Sequence, residues 1–193
     1  MVSTEKERDE ALAEKAKRKV LLIPAGMAFG TGEHETTVTC LRFLADIAEE
    51  QGDKSWEVLD LGTGTGILAL AAREFGARTA EGHDFDPHAV RTAKENVRIN
   101  AVDKCAMKKV DVRKWQPTRA WEVVVANLFS GLLMEVAPKI AAATSPGGNL
   151  VFSGVLREQE EEVVRAFKKA GFKIEKIIRR SKWIAGRAHR SRK

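Results

Sequence analysis

Three glycines at alternate positions, Gly62, Gly64 and Gly66, stand between two apolar runs, Val58-Leu59-Asp60-Leu61 and Ile67-Leu68-Ala69-Leu70-Ala71-Ala72. A short continuous apolar run reads as a buried parallel strand. Glycines then let the backbone turn sharply and come close to a ligand. The start of the following helix offers unpaired N–H groups. A strand, glycine turn and helix in this order bind a nucleotide-like ligand. The spacing is G-x-G-x-G, and Ile67 stands where the dinucleotide fingerprint G-x-G-x-x-G needs its last glycine. That departure weakens a nicotinamide or flavin reading. A P-loop is excluded, because no Gly-Lys-Ser/Thr occurs in the chain.

Asp84 ends the next strand, about 20 residues after the turn, where an acid accepts hydrogen bonds from ribose hydroxyls. Asp60, just before the glycines, either fixes the turn or accepts from a cationic group. S-adenosylmethionine carries a ribose and a cationic amino acid part, and it has no phosphate. A glycine turn flanked by acids and free of Lys or Arg suits that ligand better than a pyrophosphate. Asn127 closes a later strand at the carboxyl edge of the sheet, where ligands bind in doubly wound folds. Its amide both donates and accepts. The stretch reads Ala126-Asn127-Leu128-Phe129. It lacks the two prolines that often follow such an Asn in methyltransferases of adenine or glutamine amides.

Other residues carry weaker signals. His34-Glu35 begins a zinc motif, but H-E-x-x-H needs a histidine where Val38 stands. His34 either closes the cofactor loop or is an ordinary polar loop residue. Asp111, after the third strand, either meets an adenine amino group or is a plain turn acid. His83 and His88 read as structural. Trp56, Trp115, Trp121 and Trp183 show no stacking pattern, and packing is their default.

The elements that must position these groups alternate β and α. Trp56–Leu61 is the first central strand and Ile67–Phe75 its helix, stopped at Gly76. A strand over 78–85 leads to a helix begun by Asp86 as N-cap and Pro87 at N1. A weak third strand spans 106–110 and a clear fourth spans 121–126. A helix bearing Leu132, Leu133, Val136 and Ile140 follows. The turn Pro146-Gly147-Gly148 enters a fifth strand, 149–153. An amphipathic helix over 156–170 ends at Gly171. Two last strands, 172–178 and 183–188, have no helix between them and pair as an antiparallel hairpin. The pattern implies a mostly parallel sheet with helices on both faces. Upstream, Thr4 and Glu7 fit a capping box for a thin amphipathic helix to about Lys19. A helix after Thr37 is predicted to bury Val38, Leu41, Leu44 or Ala45, and Ala48. Between these two helices lies the segment 25–37, rich in glycine and hydroxyls and without a strand or helix period. Such loops wrap ligands.

The chain of 193 residues is sized for one α/β domain. It has no run of 18 apolar residues and no apolar signal-peptide core before Lys19. Cys40 and Cys105 have neither metal-ligand nor disulfide spacing. A reduced, cytoplasmic protein is expected, with no membrane contact and no metal. The net charge of +6 is uneven: 171–193 carries nine Lys or Arg against one acid, Glu175. That basic end marks either an anionic partner, such as RNA or the ribosome, or a solvated terminus.

Five segments together resemble the PrmA family of ribosomal-protein methyltransferases. They are Gly26-Met27-Ala28-Phe29-Gly30-Thr31-Gly32-Glu33-His34-Glu35-Thr36-Thr37, Val58 to Ala72, Asp84-Phe85-Asp86-Pro87, Ala126-Asn127-Leu128 and Ser153-Gly154-Val155-Leu156. The loop is the most specific of these, since the glycine turn and the acid recur across class I methyltransferases. The resemblance implies a Rossmann-like, seven-stranded, mostly parallel sheet with an antiparallel strand. It implies S-adenosylmethionine as cofactor, with contacts at Thr37, Gly62, Gly64, Asp84 and Asn127, and the Phe29–Thr31 loop covering the ligand. It also implies methyl transfer to an amine of a protein, ribosomal in type. It covers the catalytic domain, placed at 20–188 between a charged N-terminal extension, 1–19, and a basic tail, 189–193. The family's N-terminal substrate-recognition domain has no counterpart here. No general base is evident, and a monomer is expected. Two alternatives stand beside this reading: an RNA methyltransferase, and a cofactor-binding core inactive without a substrate-recognition domain.

Overall fold

The computed structural model describes residues 2–3, 20–24, 30 and 32–192. The predicted helix over 4–19 and most of the segment 25–31 lie outside the described residues. Seven strands form one sheet in the order β5-β4-β3-β6-β7-β9-β8. They are β3 (Glu57–Leu61), β4 (Thr79–Asp84), β5 (Cys105–Lys109), β6 (Trp121–Asn127), β7 (Thr144–Leu156), β8 (Phe172–Arg180) and β9 (Trp183–Arg190). Pairing is parallel from β5 through β7, and β9 runs antiparallel to both β7 and β8. The terminal hairpin is present, and its second strand inserts between β7 and β8. A separate pair joins β1 (Val2–Ser3) to β2 (Leu21–Leu22) in parallel. Asn100 holds β2 in place: its amide accepts from Leu22 N–H at 2.7 Å and donates to Leu22 C=O at 2.8 Å.

Among the described residues five helices cover the sheet: α1 (Glu35–Gln51), α2 (Ile67–Glu74), α3 (Pro87–Ile99), α4 (Ser130–Ala143) and α5 (Glu160–Lys169). Alternate residues of a strand face opposite sides. Along β6, Val123 and Val125 enter the core shared with α1, α2 and α3, whereas Val124 and Ala126 enter the core shared with α4 and α5. Both cores are fully buried at their centres, around Phe43, Leu44 and Ile47 on one side and Leu133, Phe152 and Phe167 on the other. Asp86 is the N-cap of α3, accepting from His88 N–H at 2.8 Å, with Pro87 at the first helical position.

Four sequence expectations are corrected. Helix α1 buries Thr36, Thr37, Thr39, Cys40, Phe43, Leu44 and Ile47, while Ala45 is exposed and Val38, Leu41 and Ala48 are only partly buried. Of the hydroxyl-bearing residues on this inward face, Thr39 satisfies itself locally, its Oγ1 donating to Glu35 C=O at 2.8 Å, whereas Thr37 Oγ1 has no partner among the described residues. Strand β7 starts at Thr144 and passes through Pro146-Gly147-Gly148, with a register shift between Trp121 and Val123 absorbing the irregularity. Residues 157–159 form a 3-10 turn before α5, and Leu156 closes β7. Strand β9 also runs on to Arg190, so His189 and Arg190 of the basic C-terminus are sheet residues.

Where β9 crosses β7, Gly186 lies against the ring of Phe152. A Cβ at Gly186 would sit 2.2 Å from Phe152 Cζ. Phe152 is fully buried and stacks at 4.8 Å on Phe167, so it has nowhere to retreat. Gly186→Ala is expected to destabilise the protein by about 1–3 kcal/mol through overpacking. Urea unfolding would report this as a lower midpoint at unchanged slope.

A polar network sits on the face of the sheet beside β4. Glu81 accepts from His83 Nε2 at 2.6 Å and pairs with Lys108 at 2.8 Å. The His83 contact, reinforced by Lys108 and opposed by burial, pulls the Glu81 carboxyl down to about 2. A depressed carboxylate contributes stability above its unfolded pKa, near 4.5, and loses it as pH falls toward the folded value. The protein should therefore lose more stability between pH 5 and 3 than Glu81→Gln does. The difference should be about 1–2 kcal/mol once solvent screening is allowed for. Thermal unfolding across that range measures it.

Candidate active site

The turn after β3 is built by the end of β4. The N–H groups of Gly62 and Thr63 both donate to His83 C=O, at 2.8 and 2.9 Å. Gly64 N–H donates to Asp84 Oδ2 at 3.0 Å, and Gly66 N–H donates to Thr63 C=O at 2.8 Å. All three glycines are left-handed, with φ of 73°, 53° and 84°, which explains their alternate spacing. From α3, Asn96 Nδ2 donates to Thr65 C=O at 2.8 Å. These bonds engage the N–H groups of Gly62, Thr63, Gly64 and Gly66 internally, so these four are not offered to a phosphate.

Asp84 is nearly buried and accepts two backbone N–H groups, from Gly64 at Oδ2 and from Asp86 at Oδ1, both at 3.0 Å. A carboxylate has about four acceptor positions, so two remain, and Asp84 lines the adjoining cavity. Asp60 is fully buried behind the turn. Thr63 Oγ1 donates to its Oδ2 at 2.6 Å, and Oδ1 has no hydrogen-bond partner among the described residues. Burial raises its pKa to about 7, with the neighbouring Asp84 adding to the rise and Thr63 opposing it. The two cysteines are unsuited to nucleophilic chemistry. Burial raises the Cys40 thiol far above its ordinary range and pushes that of Cys105 up to about 12. Among the described residues no group of His, Cys, Asp and Glu is placed to hold a metal ion.

A cavity of about 480 Å³ opens at the carboxyl edge of the parallel strands. Ligand sites fall in this size range and at this place in open α/β sheets. Its lining brings together Gly62, Gly64, Asp84 and Asn127. Thr37 is buried one residue behind the lining, whereas its neighbour Thr36 lines the cavity. Phe29 and Thr31 lie outside the described residues. Between them Gly30 is fixed to the glycine turn, its C=O accepting from Thr65 Oγ1 at 2.5 Å. Asp111 does not line the cavity; it organises a turn, accepting from Arg113 N–H at 3.0 Å.

Sequence reasoning missed four contributors. Phe85 and Phe129 stand at the mouth, 69% and 59% exposed, the two most exposed large apolar residues among those described. Thr36 and Trp183 line the wall. Trp183 reaches the site because β9 is antiparallel. Its first residue lies beside Leu156, the last of β7, at the carboxyl edge. There its ring meets His34 edge-on, with centroids 5.4 Å apart. His34 caps α1, and Ser181 Oγ in the hairpin turn donates to Glu35 Oε1 at 2.7 Å. The signal that could have exposed Phe85 was its position, directly after the acid of β4 and before the N-cap of α3.

Among the described residues the lining contains acids, aromatics and aliphatics, and no Lys or Arg. Together with the internally satisfied turn, this is a site for a nucleoside-like ligand without phosphates.

The fold is that of S-adenosylmethionine-dependent methyltransferases. An N-methyltransferase, NodS of Bradyrhizobium japonicum with bound S-adenosylhomocysteine, superposes with a TM-score of 0.65 over 82% of this chain and 89% of its own, at 14% identity. A ribosomal protein L11 methylase from Lactobacillus delbrueckii subsp. bulgaricus superposes with a TM-score of 0.78, covering 90% of this chain and 86% of that one, at 27% identity. The family model "Ribosomal protein L11 methyltransferase (PrmA)" matches residues 3–191, and the chain belongs to that family. The ribosomal protein L11 methyltransferase of Heliobacterium modesticaldum is 39% identical over 173 residues, 89% of this chain and 53% of the relative. That of Pseudomonas putida (strain W619) is 40% identical over 166 residues, 85% and 54%. The chain thus spans about half the length of the curated relatives it matches.

Proposed function

We propose that this protein binds S-adenosylmethionine in the cavity at the carboxyl edge and transfers its methyl group to an amine of a ribosomal protein. The observation that carries the proposal is the pairing of a cavity lined by Asp84 and Asp86, with no Lys or Arg among its described residues, with a glycine turn whose three glycine N–H groups are already engaged. Asp84 would take the ribose hydroxyls, Gly62 and Gly64 would let the ligand lie close to the backbone, and Asn127 would face the transferring end. The buried Asp60 adds negative potential behind the turn, which favours the cationic amino acid part. Thr37, Phe29 and Thr31 complete the set, with the last two on the covering loop. When bound, the cofactor supplies a methyl carbon made electrophilic by its sulfonium and takes the departing electron pair back on sulfur. The protein's own task is to align an amine with that carbon and to strip the amine of a proton. At neutral pH, deprotonating a lysine of pKa ~10.4 costs roughly 4–5 kcal/mol.

The acceptor reading rests on family membership, and the basic C-terminal strands suit a partner from the ribosome. We place the reaction in the cytoplasm, with the protein acting as a monomer, since its most exposed aromatics are spent on the cavity mouth. Labelled methyl transfer from S-adenosylmethionine to purified ribosomal protein L11 of Heliobacterium modesticaldum tests the proposal. Label recovered on lysine or the α-amine of the protein supports it. Label in ribosomal RNA alone, when intact ribosomes are offered, would replace the acceptor.

A further inference from the structure

Asn127, Thr36 and His34 form one continuous line of hydrogen bonds along the cavity wall. Asn127 Nδ2 donates to Thr36 Oγ1 at 3.3 Å, and Thr36 Oγ1 lies 2.7 Å from His34 Nδ1. The direction of the second bond follows from the helix cap. The backbone N–H of Thr36 also points at His34 Nδ1, at 3.4 Å, which makes that nitrogen the acceptor and places the ring proton on Nε2. The Thr36 hydroxyl hydrogen therefore lies toward His34. Of the two Thr36 lone pairs, one receives Asn127 and one is left for a donor in the cavity.

We propose that Thr36 and His34 are the proton exit for the acceptor amine. This rests on the amine-methylation reading above. The acceptor ammonium donates one proton to Thr36 Oγ1 as Thr36 passes its own hydroxyl proton to His34 Nδ1. The amine is left neutral with a free electron pair, the hydroxyl is regenerated, and the imidazole carries the positive charge. The methylated product keeps its remaining two protons on nitrogen, and His34 returns its extra proton to solvent at the cavity mouth.

The surroundings hold this line in place. Trp183 packs its ring edge-on to His34, and the Ser181–Glu35 hydrogen bond ties the hairpin turn to the first residue of α1. Among the described residues, Asp84 and Asp86 line the same cavity as His34, Glu35 follows it at the start of α1, and the Lys182 ammonium lies 5.4 Å from the Trp183 ring that packs on it. Asn127 on β6 is neutral.

His34→Asn tests the idea cleanly, because asparagine is a good helix N-cap and accepts a hydrogen bond where Nδ1 does, yet takes no proton. With Heliobacterium modesticaldum ribosomal protein L11 as acceptor, His34→Asn should lose far more in transfer rate than in affinity for S-adenosylhomocysteine. It should transfer methyl about 10²–10⁴-fold more slowly at pH 7. The two pH profiles should differ, the His34→Asn rate rising all the way toward the acceptor's own pKa, ~10.4 for lysine, and the wild-type rate levelling off at lower pH. Thr36→Val should mimic the loss and Thr36→Ser should recover most of it. A His34→Asn enzyme within threefold of wild type, with the same pH profile, overturns the proposal. Imidazole nitrogen NMR of the free protein provides an arm independent of any acceptor. Nδ1 should be the unprotonated, hydrogen-bonded nitrogen, and its signal should change in Thr36→Val. A proton on Nδ1, or no response to Thr36→Val, overturns the relay even if methyl transfer occurs. Absence of methyl transfer by wild type with the NMR signature intact would instead sink the acceptor reading.

Discussion

Asp84→Ala is expected to weaken binding of S-adenosylhomocysteine by about 10²- to 10⁴-fold. The carboxylate serves on two sides. Toward the protein it accepts from Gly64 and Asp86 at 3.0 Å, fixing the glycine turn and the start of α3. Toward the cavity it offers the acceptor positions that a ribose would use. A hydrogen bond to a charged group contributes about 1.5–3 kcal/mol, and 1.4 kcal/mol is tenfold in affinity. Losing two such bonds therefore gives the range stated, before any loosening of the turn. Asp84→Asn should fall between, because its amide oxygen keeps one acceptor side while its NH₂ opposes a second donor. Calorimetric titration measures both, with urea unfolding to show that each variant is folded. Equal affinity in all three proteins would remove Asp84 from the ligand's environment.

Gly154→Ala is the second large effect. Gly154 has φ of +83°, and a Cβ there would lie 2.5 Å from the carbonyl oxygen of Leu128 and 3.2 Å from its nitrogen. The obstruction is backbone, so no rotamer change relieves it. The left-handed conformation adds a cost of about 1–2 kcal/mol for a residue with a Cβ. Relief requires moving Leu128, whose N–H donates to Ser153 C=O at 3.1 Å and which joins Asn127 to Phe129. We expect about 3 kcal/mol of destabilisation, or roughly 6–12 °C in Tm. Loss of methyl transfer should exceed the loss of cofactor affinity, because the displaced segment carries the transferring end of the site. A variant that keeps wild-type Tm and rate would contradict the close approach of these two strands' ends.

The strand–turn–helix unit was legible because its physics is local. A strand buried on both faces is mostly apolar, with Glu57 and Asp60 the exceptions in β3, and a turn with three left-handed residues strongly favours glycine. Asp86-Pro87 announced α3 for the same reason. The inward face of α1 was not legible, because Thr36, Thr39 and Cys40 count as weak hydrophobes in a periodicity pattern yet are buried here. Trp183 was illegible on different grounds. Its place at the cavity depends on β9 entering the sheet antiparallel beside β7, a long-range register that no neighbouring residue encodes. The line from Asn127 to His34 likewise joins residues 91 positions apart in its first step. Asn127 was readable as an element end, and only the fold gave it Thr36 as a partner.

The most direct test of the account is calorimetric titration of the wild-type chain with S-adenosylhomocysteine and, separately, with NADH. One saturable site for S-adenosylhomocysteine and none for NADH is the predicted result, as expected of a cavity with no Lys or Arg among its described lining residues and a turn whose three glycine N–H groups are already engaged. Saturable binding of the dinucleotide, or no heat from S-adenosylhomocysteine, would contradict it.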